Sequence, residues 1–245
     1  MKIFGLIGKK LGHSFSKKYF EEKFKDLHIE ACYQNFELNE IAEIKRIFSQ
    51  KNLVGLNVTI PYKTQVIPFL DDIDDKAKQT GAVNCIKIKN GKTKGYNTDC
   101  FGFEQLLKPF LESQHQRAII LGTGGASKAV QTVLSELGIE FILISRSPRH
   151  QNEFSYDEMN EMMLKNCKLV IHTSPVGMYP NVDEAADIPY CYFTPEHLAV
   201  DLIYNPEETT FMRNAKSYGA VAINGITMLH QQAEKSWQIW NDDSL

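Results

Sequence analysis

The chain has 245 residues, 43% of them hydrophobic, which is enough for a sizeable core in one large domain or two of moderate size. Its formal net charge of −3 excludes a global basic field for nucleic acid or anionic lipid, so an anionic ligand has to be met by local groups. The five cysteines (Cys32, Cys85, Cys100, Cys167 and Cys191) are odd in number and form no CxxC pair, and the seven histidines show no HxxxH spacing, which argues for free thiols in a reducing compartment and against a disulfide framework or a zinc site. No apolar run is long enough to span a membrane, and the apolar part of MKIFGLIGKK is too short for a signal peptide. The expectation is a soluble cytoplasmic protein.

KIFGLIG predicts a first strand, followed by a helix capped by Ser16 with Phe20, Phe24 and Leu27 on one face. ACYQNFEL predicts a second strand, and a helix from Asn39 turns Ile41, Ile44, Ile47 and Phe48 inward. LVGLNVTI predicts a third strand, and GAVNCIKIKNGKTKGYN a hairpin turning at Asn90-Gly91. These elements make an α/β unit with an antiparallel edge that ends near Asn97. A helix from Asp99, carrying Phe103, Leu106, Leu107 and Phe110, leads into a second unit.

That unit opens with RAIILGTGGASKAV, where Ala118 to Leu121 read as a strand covered on both faces. The next helix buries Ala126, Ala129, Val130, Val133, Leu134 and Leu137. Strand FILIS, a weak helix, strands KLVIH and LAVDLIY, a helix after Asn205-Pro206 and the short strand AVAI follow. This alternation predicts a parallel, right-handed, doubly wound sheet. Residues 174–197, rich in proline and polar groups, form a long loop and a lid candidate. GITMLHQQAEKSWQIW is helical, with Ile226, Leu229, Ala233, Trp237 and Trp240 on one stripe. Gln232 borders that stripe and Gln231 points away, so Gln232 is the better placed of the two to meet a ligand.

The segment Gly122-Thr123-Gly124-Gly125-Ala126 follows a strand and opens a helix. Gly122 permits the tight turn, Gly124 the close approach of a pyrophosphate, and Gly125 and Ala126 leave space at a helix N-terminus that favours an anion. A glycine turn serving only helix–strand packing is the alternative. An NAD site places Asp or Glu at the end of the next strand, but here ILISRSPR ends in Arg146 with Arg149 close by. Guanidinium groups pair with a 2′-phosphate, so the expected cofactor is NADP(H); two solvated loop arginines are the alternative.

In the first unit, Ser14 and Ser16 offer hydroxyls and a helix start that suit a carboxylate, or serve as N-caps. NVTIPYK carries Thr59 and Lys63 to the end of a strand, GAVN supplies Asn84, and YNTD supplies Asp99 ahead of a helix. Reduction of a ketone by hydride needs a proton donor near the developing alkoxide, which suits Lys63, with Asp99 holding substrate and lysine in place. Taken one at a time, Lys63 also fits a solvated turn and Asp99 a helix cap.

In their order along nearly the whole chain, GHSFS, NVTIPYK, GAVN, NTDCFG, GTGGASKA, SRS, YNPEET and NGITML-HQQA resemble the shikimate 5-dehydrogenase family. The resemblance implies an open α/β substrate domain (1–100), a Rossmann-type doubly wound parallel-sheet domain (101–224) and a C-terminal helix (225–245) packing back on the first. It implies that Ser14 and Ser16 bind the substrate carboxylate, that Thr59, Asn84, Tyr204 and Gln232 contact the substrate, and that Lys63 and Asp99 are the catalytic pair. It assigns the pyrophosphate to Gly122 to Ala126, the adenosine phosphate to Ser145, Arg146 and Ser147, and the nicotinamide end to Gly225, with Asp75 at an acidic position that can reach the cofactor.

The implied reaction is NADPH-dependent reduction of 3-dehydroshikimate to shikimate, in the route to chorismate and aromatic amino acids. The implied partners are this small-molecule substrate, no nucleic acid and no membrane, in a monomer or homodimer. A dual quinate/shikimate dehydrogenase and a non-catalytic NADP(H)-binding homologue are the alternatives. Several positions depart from the family pattern: Ser-Arg-Ser replaces Asn-Arg-Thr, His172-Thr173-Ser174 replaces an Asn-centred stretch, and Lys17, Asn224 and Thr227 replace Pro, Asp and Gly.

Overall fold

The computed structural model describes residues 1–12 and 15–242. It divides into two compact units, one of residues 1–98 and 232–245, the other of residues 99–231.

In the first unit, β1 (Lys2–Gly8) runs parallel to both β2 (Ala31–Glu37) and β3 (Leu53–Val58). β5 (Cys85–Lys89) and β6 (Lys92–Tyr96) add antiparallel strands and β4 (Asp72–Ile73) the edge, giving the order β2-β1-β3-β5-β6-β4. The β5–β6 turn needs two residues at positive φ, and Asn90 (53°) and Gly91 (76°) supply them, as the sequence predicts. The edge strand β4 (Asp72–Ile73) is too short to show a sequence period. Alternation along β1 divides the core. Phe4 and Leu6 pack on one face with Phe20 and Phe24 of α1 (Phe15–Asp26), and Ile7 packs on the other with Ile44, Leu56 and Val58.

Several boundaries differ from expectation. α1 begins at Phe15, so Ser16 sits inside its first turn rather than at the cap; Ser14 lies outside the described residues. Leu27 follows the helix and is exposed. The helix expected from Asn39 is a 3-10 turn (Ile41–Glu43) followed by a short α2 (Ile44–Phe48), with only Ile44 and Ile47 fully buried. Its start is held by Glu43 Oε1, which accepts from the Asn39 and Glu40 N–H groups at 2.9 and 3.0 Å. β3 ends at Val58, since Pro61 has no ladder donor, and the chain turns into α3 (Tyr62–Gln65) and then α4 (Asp75–Thr80).

The closing helix α9 (Ile226–Asn241) contributes Ala233 and Trp240 to the first unit. Trp240 Nε1–H donates to Ile86 O at 3.0 Å, and the indole lies against Gly55. A Cβ at Gly55 would overlap the indole ring. Gly55→Ala is therefore expected to cost about 1–3 kcal/mol by overpacking. Urea unfolding checks this; an unchanged midpoint would show that Trp240 can move aside.

The second unit begins with α5 (Asp99–Leu107), whose pattern is broken by Pro109, so Phe110 leaves the stripe in a 3-10 turn and is 41% exposed. The strands are β7 (Arg117–Leu121), β8 (Glu140–Ile144), β9 (Glu153–Phe154), β10 (Leu169–His172), β11 (Leu198–Asp201) and β12 (Val221–Ile223). They pair in parallel in the order β12-β11-β10-β7-β8-β9. This is the predicted doubly wound sheet, and its strand order reverses between β7 and β10. β9 has two residues and is legible only from its pairing.

Ala118 and Ile120 face α5 and α6 (Gly125–Glu136), while Ile119 and Leu121 face α7 (Glu161–Asn166) and α8 (Thr210–Ser217). α8 starts at Thr210, capped by Thr209, whose hydroxyl accepts from Met212 N–H at 3.3 Å. The loop 174–197 is no open strap: Ala186, Ile188 and Phe193 are buried with Phe211 and Met212. At the start of α9, Ile226 is exposed, and Met228 takes the core position expected of it.

Candidate active site

The end of β3 and the start of β5 bring three of the predicted residues of the first unit together. Val58 N–H donates to Asn84 O at 2.9 Å, and Val83 N–H donates to Lys63 O at 2.7 Å. Thr59 N–H donates to Ile7 O, so Thr59 continues the sheet beyond β3 without a regular ladder. Pro61 and the turn into α3 then hold Lys63, half-buried, one backbone hydrogen bond from Val83, the residue before Asn84. Asn84 is buried, with its Oδ1 accepting from Thr98 N–H at 2.7 Å and its Nδ2 donating to Thr98 Oγ1 at 3.0 Å.

Behind these residues is a buried polar network that the sequence reading missed. Tyr33 Oη–H donates to Asn57 Oδ1 at 2.8 Å, and Asn57 Nδ2 donates to Asn84 O and to Ser236 Oγ at 3.3 and 2.9 Å. Ser236 Oγ–H donates to Gln232 O at 2.9 Å. Ser16 hydrogen-bonds the Tyr33 phenol, whose titration burial pushes well above its ordinary value, keeping it a donor. The network thus ties Ser16, Asn84 and the Gln232 backbone to one hub, Asn57. A polar residue within the buried strand LVGLNV was the available signal, since a buried amide must find partners.

In the second unit, the glycine turn has the shape a dinucleotide requires. Gly122 has φ +110°, a region that L side chains avoid. Gly124 caps α6 from an extended conformation, and a Cβ at Gly124 or Gly125 would meet nothing within 4 Å, so space stands open at the helix start. The first turn of α6 carries no acidic side chain, Thr123 is exposed and Ala126 half-buried. At the end of β8, Ser145 Oγ accepts from Ser147 N–H at 3.2 Å, which shapes the turn that exposes Arg146 and Ser147. Arg146 stands near Tyr156, and Arg149 N–H is held by Glu153 at 2.7 Å. Open glycines, a helix N-terminus and arginines in place of an acid fit an NADP(H) pyrophosphate and 2′-phosphate.

The remaining predicted residues lie on several elements of the two units. Asp99 is the buried first residue of α5, and Tyr204 is exposed after β11. A Cβ at Gly225 would fall on the Leu202 carbonyl, so glycine there meets a packing demand within the unit. Asp75, in the first unit, has an exposed carboxylate 3.3 Å from Lys78. A cavity of about 530 Å³ beside β12 is lined by Met212, Ile223, Asn224 and Thr227 and by none of the glycine-turn or arginine residues. Burial pushes the Cys85 thiol up to about 12 and also raises Cys167, leaving both poor nucleophiles.

The sequence profile of the shikimate dehydrogenase substrate-binding domain matches residues 6–86. The NADP(+) shikimate dehydrogenase of Clostridium beijerinckii is 40% identical over 257 aligned residues, which cover 100% of this chain and 94% of that one. The chain belongs to the shikimate dehydrogenase family. A solved family member, shikimate dehydrogenase 1 from Peptoclostridium difficile, matches with a TM-score of 0.85 and 38% identity, over 100% of this chain and 93% of that one. The shikimate 5-dehydrogenase of Thermus thermophilus, solved with NADP(H) and shikimate, matches with a TM-score of 0.87 and 27% identity, over 98% of this chain and 94% of that one.

Two family departures acquire a structural meaning. Ser-Arg-Ser still exposes its arginine at the end of β8. His172, in the His172-Thr173-Ser174 stretch, is fully buried and bonded to Asp201 and Ser174. Among the described residues no helix is long and apolar enough to cross a membrane.

Proposed function

We propose that this protein catalyses the reversible NADPH-dependent reduction of 3-dehydroshikimate to shikimate. The observation that carries the reading is the convergence of Thr59, Lys63 and Asn84 at the carboxyl end of β3 in a chain whose second unit holds an open glycine turn and no acid after β8. Ligands of open α/β sheets bind in the crevice outside the carboxyl ends of the strands.

The first unit binds substrate. Ser14 and Ser16 take its carboxylate, and Thr59, Asn84 and Gln232, with Tyr204 of the second unit, contact the ring. The second unit binds NADP(H) through Gly122 to Ala126, Ser145 to Ser147 and Arg149, with Gly225 at the nicotinamide end. Asp75 is assigned the same cofactor with the least support, because its carboxylate is exposed and has a lysine partner.

Bound NADPH supplies the hydride that converts the ring ketone carbon to a carbinol. Lys63 supplies the accompanying proton to the ketone oxygen and takes it back in the reverse direction. Asp99 is assigned as the catalytic partner of Lys63 at a ring hydroxyl, while Thr98 keeps the Asn84 amide, and Tyr33 the Ser16 hydroxyl, from rotating away.

The test follows NADP⁺ reduction by absorbance with shikimate, with quinate and NAD⁺ in parallel. Turnover confined to shikimate and NADP⁺ is the expected result. Comparable turnover of quinate or NAD⁺ would replace this reading with a dual-specificity dehydrogenase, and bound NADPH without turnover would leave a non-catalytic homologue.

A further inference from the structure

At the carboxyl ends of β10 and β11 lies a chain of buried groups outside the proposed catalytic set. Asp201 Oδ1 accepts from Ile203 N–H at 3.0 Å and from His172 Nδ1–H at 3.1 Å. Its Oδ2 accepts from Thr209 Oγ1–H at 2.6 Å. The Thr209 hydroxyl is already an acceptor for Met212 N–H, so its proton is committed to Asp201. With the imidazole proton on Nδ1, His172 Nε2 carries a lone pair, and Ser174 Oγ, 2.6 Å away, is the donor to it. His172 and Asp201 are fully buried, and the His172 ring lies 5.2 Å from that of Phe211. Ser174 is only half-buried.

The outer end of this chain stands at the reversal of strand order. β10 is the neighbour of β7, and a Cβ on Gly122 would lie 2.9 Å from Thr173 Oγ1 and 3.5 Å from Ser174 Cβ. Ser174 therefore flanks the turn assigned to the pyrophosphate. With its proton given to His172, the Ser174 oxygen has lone pairs to offer, one of them faced by Val176 N–H at a long 3.4 Å. Phosphates at neutral pH offer no protons, whereas ribose hydroxyls and the nicotinamide carboxamide do. The same three groups in this order activate a nucleophile in hydrolases. Hydride transfer needs no covalent step from the protein, so here the chain orients.

We propose that Ser174 accepts a hydrogen bond from a ribose hydroxyl or the carboxamide of bound NADP(H), and that His172 and Asp201 are positioning residues that fix the direction of its proton. This rests on the cofactor assignment made above.

The test measures the NADP⁺ dissociation constant by calorimetry, with KM for NADP⁺ and for shikimate, on the full chain. Ser174→Ala is expected to weaken NADP⁺ roughly 3- to 10-fold, the worth of one neutral hydrogen bond, with KM for shikimate within about twofold. Ser174→Thr, which keeps the hydroxyl, restores the affinity. His172→Asn is too short to reach Ser174 and is expected to match Ser174→Ala, with no further loss in the double variant, because both remove the same bond. Unchanged NADP⁺ affinity in Ser174→Ala, an equal rise in both KM values, or additive losses would overturn the proposal. Should His172→Asn not fold, the Ala and Thr variants at position 174 decide alone. A parent protein that binds no NADP⁺ would overturn the cofactor assignment instead.

Discussion

Lys63→Ala is expected to lower kcat by roughly 10²- to 10⁴-fold, the range for loss of a positioned general acid. The reason is that an alkoxide forming at a ring carbon is strongly basic, and hydride transfer stalls unless a proton arrives as the charge develops. Lys63 lies half-buried in the turn after β3, with its carbonyl held by the N–H of Val83, the residue before Asn84. Its removal takes away a charge, not a core group, so the fold and the affinity for NADPH should remain within about twofold of the parent. Lys63→Met keeps the length of the side chain and should be equally impaired. Single-turnover rates with 3-dehydroshikimate and NADPH separate this loss from one of binding. Turnover near the parent's would remove Lys63 from the reaction and leave it as a turn residue.

The second large effect concerns the cofactor. NADP⁺ and NAD⁺ differ only in the 2′-phosphate, so a residue that pairs with that group must act on one and spare the other. Arg146→Ala is expected to reduce kcat/KM with NADP⁺ about 10- to 150-fold, corresponding to the 1.5–3 kcal/mol of a hydrogen bond to a charged group. The value with NAD⁺ should change by less than about threefold. Arg149→Ala should act in the same direction and more weakly, because its backbone is tied to Glu153 while Arg146 stands at the strand end itself. An equal fall with both cofactors would mean that Arg146 shapes the adenosine pocket without reading the phosphate. No change with either would leave it a solvated loop residue.

The legible parts of this protein are those governed by short-range physics. Asn90-Gly91 predicts its own turn, because a two-residue hairpin needs positive φ at both positions. The glycines from 122 to 125 announce a tight turn ahead of a helix, and the arginines after ILIS announce the missing acid. The continuous apolar run at 118–121 reads as a strand covered on both faces, and its residues are buried alternately in two core clusters. Boundaries depart from the local pattern where it meets a competing demand. Pro109 turned Phe110 out of its stripe, and the Glu43 side chain bound the backbone ahead of a helix that stayed short.

The sequence by itself determined the alternation of strand and helix, the sign and place of the charges, and the residue types at each strand end, because these follow from backbone propensity and period. Tertiary structure alone decided which buried polar atoms meet. Asn57 finds Ser236 across 179 residues and His172 finds Asp201 across 29, and no local pattern encodes either pair. A buried amide or imidazole must be satisfied wherever the fold brings a partner. The requirement can be read in the chain, but the partner exists only once the sheets have formed.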